Sequence, residues 1–160
     1  MPSDTNKTTR FEYNLDGNLK KLIAENPTTG DQVTEWVYGV TMAQGSKVES
    51  KSLVYQKVYP DSAGAGDRVS YQYNRQGQAI GVADQAGTVH GYTFDKFGRV
   101  VEDGVSAFGS GIDETVKRIA RSYEVRGMLE KVSSFGTGST PLNEVQLAYN
   151  DYAQFTEGGG

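Results

Sequence analysis

The sequence predicts an all-β fold: an antiparallel β-hairpin repeat array, laid out as a curved or spiralled meander sheet of about eleven strands with no substantial helix. Three observations predict it. Ten Tyr, six Phe and 20 Gly in 160 residues suit strands and tight turns better than helices. A short motif recurs five times: an aromatic, then Asn, Asp or Glu, two free positions, Gly or Ala, one free position and an apolar residue. Between the copies, apolar and polar residues alternate at the period of a half-buried strand.

The copies, in chain order, are Tyr13-Asn14-Leu15-Asp16-Gly17-Asn18-Leu19, Tyr73-Asn74-Arg75-Gln76-Gly77-Gln78-Ala79, Phe94-Asp95-Lys96-Phe97-Gly98-Arg99-Val100, Tyr123-Glu124-Val125-Arg126-Gly127-Met128-Leu129 and Tyr149-Asn150-Asp151-Tyr152-Ala153-Gln154-Phe155. Each reads as one hairpin. An Asn or Asp at the first turn position bonds the backbone two residues on, and Gly at the fourth takes positive φ without steric cost. The aromatic and the apolar residue then stand on the two arms, where a cross-strand pair contributes roughly 0.2–1 kcal/mol.

The remaining elements follow from these anchors. Residues 1–9 and 158–160 read as flexible tails around an array at 10–157. The first two copies are too far apart for one unit. A degenerate hairpin at 31–67 is expected between them, from the alternating segments 33–38 and 53–59 and the turn signals at 26–30 and 60–64. Asp84-Gln85-Ala86-Gly87 supplies a turn at the opposite end, so strands are expected near 68–73, 78–83, 88–94 and 99–103. The Gly/Ser-rich stretches 107–111 and 136–141 are loop insertions. Residues 112–120, the nearest approach to a helix, alternate well enough to form a strand.

The run from Tyr71-Gln72-Tyr73-Asn74-Arg75-Gln76-Gly77 to Tyr92-Thr93-Phe94-Asp95-Lys96-Phe97-Gly98-Arg99-Val100 resembles the YD repeats of the Rhs and teneurin-like superfamily. Those units centre on aromatic-x-Tyr-Asp-x-x-Gly-Arg-Leu. The resemblance is closest over 68–102, where Asp84-x-x-Gly87-Thr88-Val89 looks like the family's second turn. It weakens elsewhere: Glu124 stands for the shorter turn acid, Ala153 for Gly, and 31–67 match poorly. The resemblance implies a long spiralling β-sheet, which in larger relatives encloses a shell or forms an extracellular barrel. The paired Asp-Pro-x-Gly signatures of the family's self-cleaving core have no counterpart, Asn26-Pro27 being the only Asn or Asp before Pro.

Charge and composition narrow the function classes. A net charge of −4 without a basic cluster argues against nucleic acid, and no apolar run approaches the roughly 18 residues of a membrane span. Zero Cys removes disulfides and thiolate chemistry. His90 is the sole His, so two-imidazole metal sites lack a second ligand and a triad lacks a spare base; a structural role is expected. Asp84 and Asp95 occupy turn slots rather than forming an acid–base pair. The Gly-rich stretches lack the Lys-Ser/Thr of a phosphate loop, and no calcium-binding nonapeptide is present. Arg10 and Arg99 read as solvated rim cations. Asn6-Lys7-Thr8 fits a glycosylation acceptor and carries no weight.

The expected site residues are therefore structural: turn positions Asn14, Gly17, Asn74, Gly77, Asp84, Gly87, Asp95, Gly98, Gly127 and Asn150, and an aromatic ladder of Tyr13, Tyr71, Tyr73, Tyr92, Phe94, Tyr123 and Tyr149. No catalytic, cofactor or metal site is expected. The function expected is a structural module of a larger secreted or cell-surface assembly, with localisation taken from the family resemblance. Its partners would be other repeats of the same or a neighbouring chain, through open strand edges that lead to filaments. The alternative is a carbohydrate-binding adhesin module using exposed tyrosines.

Overall fold

A computed structural model describes residues 8–60 and 67–159. The fold is all-β and antiparallel, and its strands follow one another in chain order through one sheet. There are twelve strands because five motif hairpins and the degenerate one each contribute two arms. The expected tail 1–9 lies outside the described residues up to 7, and Thr9 already belongs to the first strand. Residues 61–64 of the turn signal at 60–64, and Asn6-Lys7 of the triplet Asn6-Lys7-Thr8, also lie outside them.

The chain divides into two compact units, 1–85 and 86–160. The first holds β1 (Thr9–Tyr13), β2 (Leu19–Ala24), β3 (Gln32–Val40), β4 (Ser50–Val58), β5 (Arg68–Tyr73) and β6 (Ala79–Ala83). The degenerate hairpin is β3–β4, and its register pairs Tyr38 with Val54. Between these two residues lies a loop with a short 3₁₀ turn, Met42–Gln44, which the Gln44 side chain closes by accepting from the Thr41 N–H at 2.8 Å. The loop folds onto the end of β5. The Lys47 N–H donates to the Tyr73 carbonyl at 2.6 Å, the Tyr73 N–H to Ser46 Oγ at 3.1 Å, and Gln72 Nε2 to the Gln44 carbonyl at 3.0 Å. Buried Ser46 is thereby satisfied, which is what lets a polar side chain sit inside.

The second unit holds β7 (Val89–Phe94), β8 (Val100–Ala107), β9 (Arg118–Tyr123), β10 (Leu129–Phe135), β11 (Pro141–Tyr149) and β12 (Phe155–Gly159). Residues 112–117, expected in a strand, lie in a loop: Asp113 accepts from the Thr115 N–H at 2.8 Å and hydroxyl at 2.6 Å, a local turn that competes with strand pairing. Gly158 and Gly159, expected in a tail, pair with Leu147 and Gln146. Gly109 donates to Thr88 Oγ1 at 3.2 Å and lies so close to the Ala86 carbonyl that a Cβ there would collide with backbone.

Only Ile23 and Val40 are buried hydrophobics among the described residues. In each unit the paired strands leave few side chains fully buried, so a conventional core is missing among the described residues. Stability must come from the ladder of backbone hydrogen bonds, the turns, and contacts that run along the sheet from hairpin to hairpin.

Candidate functional site

Five motif turns share one construction. In each, the N–H of the fourth turn residue donates to the carbonyl of the first at 2.8–3.1 Å, and the N–H of the first donates to the carbonyl of the residue after the fourth at 2.9–3.0 Å. The fourth residue is left-handed: Gly17, Gly77, Gly98 and Gly127 have φ of 79°, 79°, 82° and 94°, and Ala153 holds 62°. This is a type I turn closed by a left-handed residue, whose bulge lets a three-residue loop join two twisted strands. Gly87, in the expected opposite-end turn begun by Asp84, has φ of 87°.

The first residue caps the turn from the side. Asn14, Asn74, Asp95 and Asn150 each accept two backbone N–H bonds through Oδ1, at 2.9–3.0 Å. Glu124, one methylene longer, does the same at 3.0 and 3.3 Å. The acidic versions also hold a guanidinium, Arg99 on Asp95 at 2.7 Å and Arg126 on Glu124 at 2.8 Å. Each arginine then reaches onward to the next turn: Arg99 Nη1 donates to the Gly127 carbonyl at 3.2 Å and Arg126 Nη1 to the Asn150 carbonyl at 2.8 Å. Arg99 also lies 4.1 Å from the centre of the Tyr123 ring. It is not the solvated rim cation expected, because a fork of N–H donors bridges three acceptors that a point charge would not span.

These contacts set the carboxyl acidities. Arg126, through its side-chain hydrogen bond, is the largest influence on Glu124 and holds it below its ordinary 4.5. At Asp95 desolvation is the largest single influence and acts upward, but the combined bonds from Arg99 and Phe97 outweigh it and leave the carboxyl below 3.8. Asp113 is lowered by Thr115, and Glu144 by Gln146, Ser133 and Lys131. A carboxyl whose acidity is increased by folding stabilises the fold above its unfolded value and loses that contribution as pH falls through the folded value. The urea midpoint is therefore expected to hold from pH 7 to about pH 5 and to drop between pH 4 and 2. Glu124→Gln should shallow that drop, and an unchanged acid limb in this variant would contradict the assignment.

The aromatic position does two things. Across its own hairpin it pairs with the motif's apolar residue: Tyr13 with Leu19, Tyr73 with Ala79, Phe94 with Val100, Tyr123 with Leu129 and Tyr149 with Phe155. Across to the preceding hairpin its hydroxyl donates to that hairpin's apolar residue. Tyr38 reaches the Leu19 carbonyl at 2.8 Å, and Tyr73, Tyr123 and Tyr149 reach Val54, Val100 and Leu129, each at 2.9 Å. Tyr38 was missing from the expected ladder because its partner Val54 lies beyond a loop rather than a turn; its place at the end of an alternating segment was the available signal. Burial, with a smaller push from Tyr71, raises the Tyr73 hydroxyl above its ordinary value and keeps it a donor.

The backbone register repeats with the staple. Two residues beyond each apolar position stand Lys21, Gln56, Glu102 and Lys131; three residues before each tyrosine stand Glu35, Ser70, Ala120 and Gln146. These pair with one another, Lys21 with Glu35, Gln56 with Ser70, Glu102 with Ala120 and Lys131 with Gln146. Four joints thus share one register and one hydroxyl bond.

Tyr71 lies 6.5 Å from Tyr73, ring to ring. Tyr92 stacks on His90 at 6.1 Å, and His90 Nδ1 lies 2.8 Å from Asp103 Oδ1 across β7 and β8. Burial, then Asp103, raises the Tyr92 hydroxyl, against a downward pull from Arg121. A His–carboxylate pair is part of a hydrolytic triad, but no Ser or Thr hydroxyl bonds His90 among the described residues. No cluster of three or more metal-binding side chains occurs among them either. In the first unit a groove of about 510 Å³ is lined by Tyr13, Asn14, Lys20, Glu35, Trp36 and Tyr38, with Leu15 and Val37.

No family model matches the chain, and no curated protein matches it. Solved structures do. The crystal structure of TcdB2-TccC3-Cdc42 is 11% identical with a TM-score of 0.28, and that of TcdB2-TccC3 without hypervariable C-terminal region is 11% identical with a TM-score of 0.31. Each match covers 92% of this chain and 10% of the other, so the chain spans about a tenth of their length. At these scores no activity or partner passes to it.

Proposed function

We propose that the chain is a structural module: a hairpin array whose work is to build and extend a sheet, as a scaffold within a larger secreted or cell-surface assembly. The observation that supports this reading is the repeated joint, the same register and the same tyrosine-to-carbonyl bond at four places. A site built for chemistry is usually singular, whereas this chain's recurring geometry is its means of adding one hairpin to another. The resemblance to YD repeats supports the secreted or surface setting. The test is light-scattering mass beside negative-stain electron microscopy of the full chain over a concentration series. Ordered multimers are the expected result, and a 17.4 kDa particle at every concentration would overturn self-association.

The groove at Tyr13, Trp36 and Tyr38 favours a second reading, a carbohydrate-binding module. Aromatic faces take the C–H side of a pyranose, and Asn14, Lys20 and Glu35 offer hydrogen bonds to its hydroxyls. A glycan array followed by titration to millimolar sugar tests it. Binding lost in Trp36→Ala supports this reading, and silence across the array removes it.

A further inference from the structure

The hairpins have first arms (β1, β3, β5, β7, β9, β11) and second arms (β2, β4, β6, β8, β10, β12). The four stapled joints each set a second arm antiparallel to the next first arm. Among the described residues β1 pairs only with β2 and β12 only with β11, leaving a first arm and a second arm each with one open edge. The hydroxyl of Tyr13, the first tyrosine, has no acceptor among the described residues, and its residue is 63% exposed. Phe155 occupies the position whose carbonyl is the acceptor at each stapled joint: Leu19, Val54, Val100 and Leu129 before it.

We infer that β12 of one copy pairs with β1 of a second copy by the chain's own joint, with the second copy's Tyr13 hydroxyl on the Phe155 carbonyl. This rests on the scaffold reading and names its partner and register. The repeated rule, two residues past the apolar position against three before the tyrosine, sets residue 157 opposite residue 10, and hence Thr156 opposite Phe11. Among the described residues of one copy Arg10 makes two long ion pairs, 3.7 Å to Glu12 and 3.9 Å to Glu25, with the side chain 56% exposed. The contact is head-to-tail, one edge type on each partner, so it propagates into a filament unless it closes into a ring.

The chain has no Cys, so paired cysteines report the register directly. Under mild oxidation the full chain carrying Phe11→Cys and Thr156→Cys is expected to form a ladder of disulfide-linked multimers on a non-reducing gel. Arg10→Cys with Thr156→Cys places the thiols on opposite faces of the joint and should form no such ladder. Circular dichroism of each reduced variant establishes that the sheet has formed. Tyr13→Phe, which removes only the hydroxyl, should weaken association about five-fold by sedimentation. Equal ladders from both cysteine pairs, or none from either while the unsubstituted chain still multimerises, would overturn this joint and leave self-association standing. A chain that stays monomeric at all concentrations would overturn both.

Discussion

Tyr123→Ala is expected to lower the free energy of unfolding by about 2–3 kcal/mol, and Tyr123→Phe by about 1 kcal/mol. Tyr123 carries three contacts, two with the preceding hairpin and one across its own. Its hydroxyl donates to the Val100 carbonyl at 2.9 Å, its face receives Arg99 at 4.1 Å, and it pairs with Leu129 across its hairpin. The phenylalanine keeps the last two and loses only the hydroxyl bond, about 1 kcal/mol net. Alanine loses all of them, and Arg99 is left to solvent. Urea denaturation of both variants measures the difference. Equal losses would mean that the ring contributes nothing beyond its hydroxyl, and no loss in Tyr123→Phe would remove the staple from the account of what joins one hairpin to the next.

The second large effect belongs to the turns. Gly77→Val should cost about 2–3 kcal/mol, because Gly77 sits at φ 79°, where a Cβ meets the neighbouring carbonyl and a β-branched side chain fits worst. Beyond the residue itself and its two chain neighbours no atom lies within 4 Å of a Cβ built there, so the cost is one of local backbone conformation and not of crowding by other elements. Ala153 supplies the converse, since it already holds φ 62°. Ala153→Gly relieves roughly 1–2 kcal/mol of strain and gives back about 0.5–1 kcal/mol through the greater freedom of unfolded glycine. The net expectation is a gain of about 0.5 kcal/mol. Urea midpoints moving in opposite directions for the two variants are the outcome expected, and a loss in Ala153→Gly would contradict the strain assigned to that turn.

The turns were legible because everything that makes them is local. The capping Asn or Asp, the left-handed Gly and the aromatic–apolar pair all fall within seven consecutive residues, and a window of that size contains their whole physical cause. The degenerate hairpin was legible only as alternation. Its pairing of Tyr38 with Val54 spans a loop whose Ser46, Lys47 and Gln44 are held by β5, and nothing near Tyr38 in the sequence announces that hold. Arg99 was misread for the same reason: its capping partner Asp95 is close in sequence, but Gly127 and Tyr123 belong to the next hairpin.

By itself the amino-acid sequence determined the fold class, the five motif hairpins and the residues that bend them, since hydrophobic period and turn chemistry act over a few residues. Only the tertiary structure decided how one hairpin meets the next. A tyrosine hydroxyl, an arginine fork and a fixed backbone offset join residues 14 to 28 positions apart, and such a joint depends on where a carbonyl lies in space. Carbonyls are carried by every residue alike, so no pattern of side chains marks which one will be used.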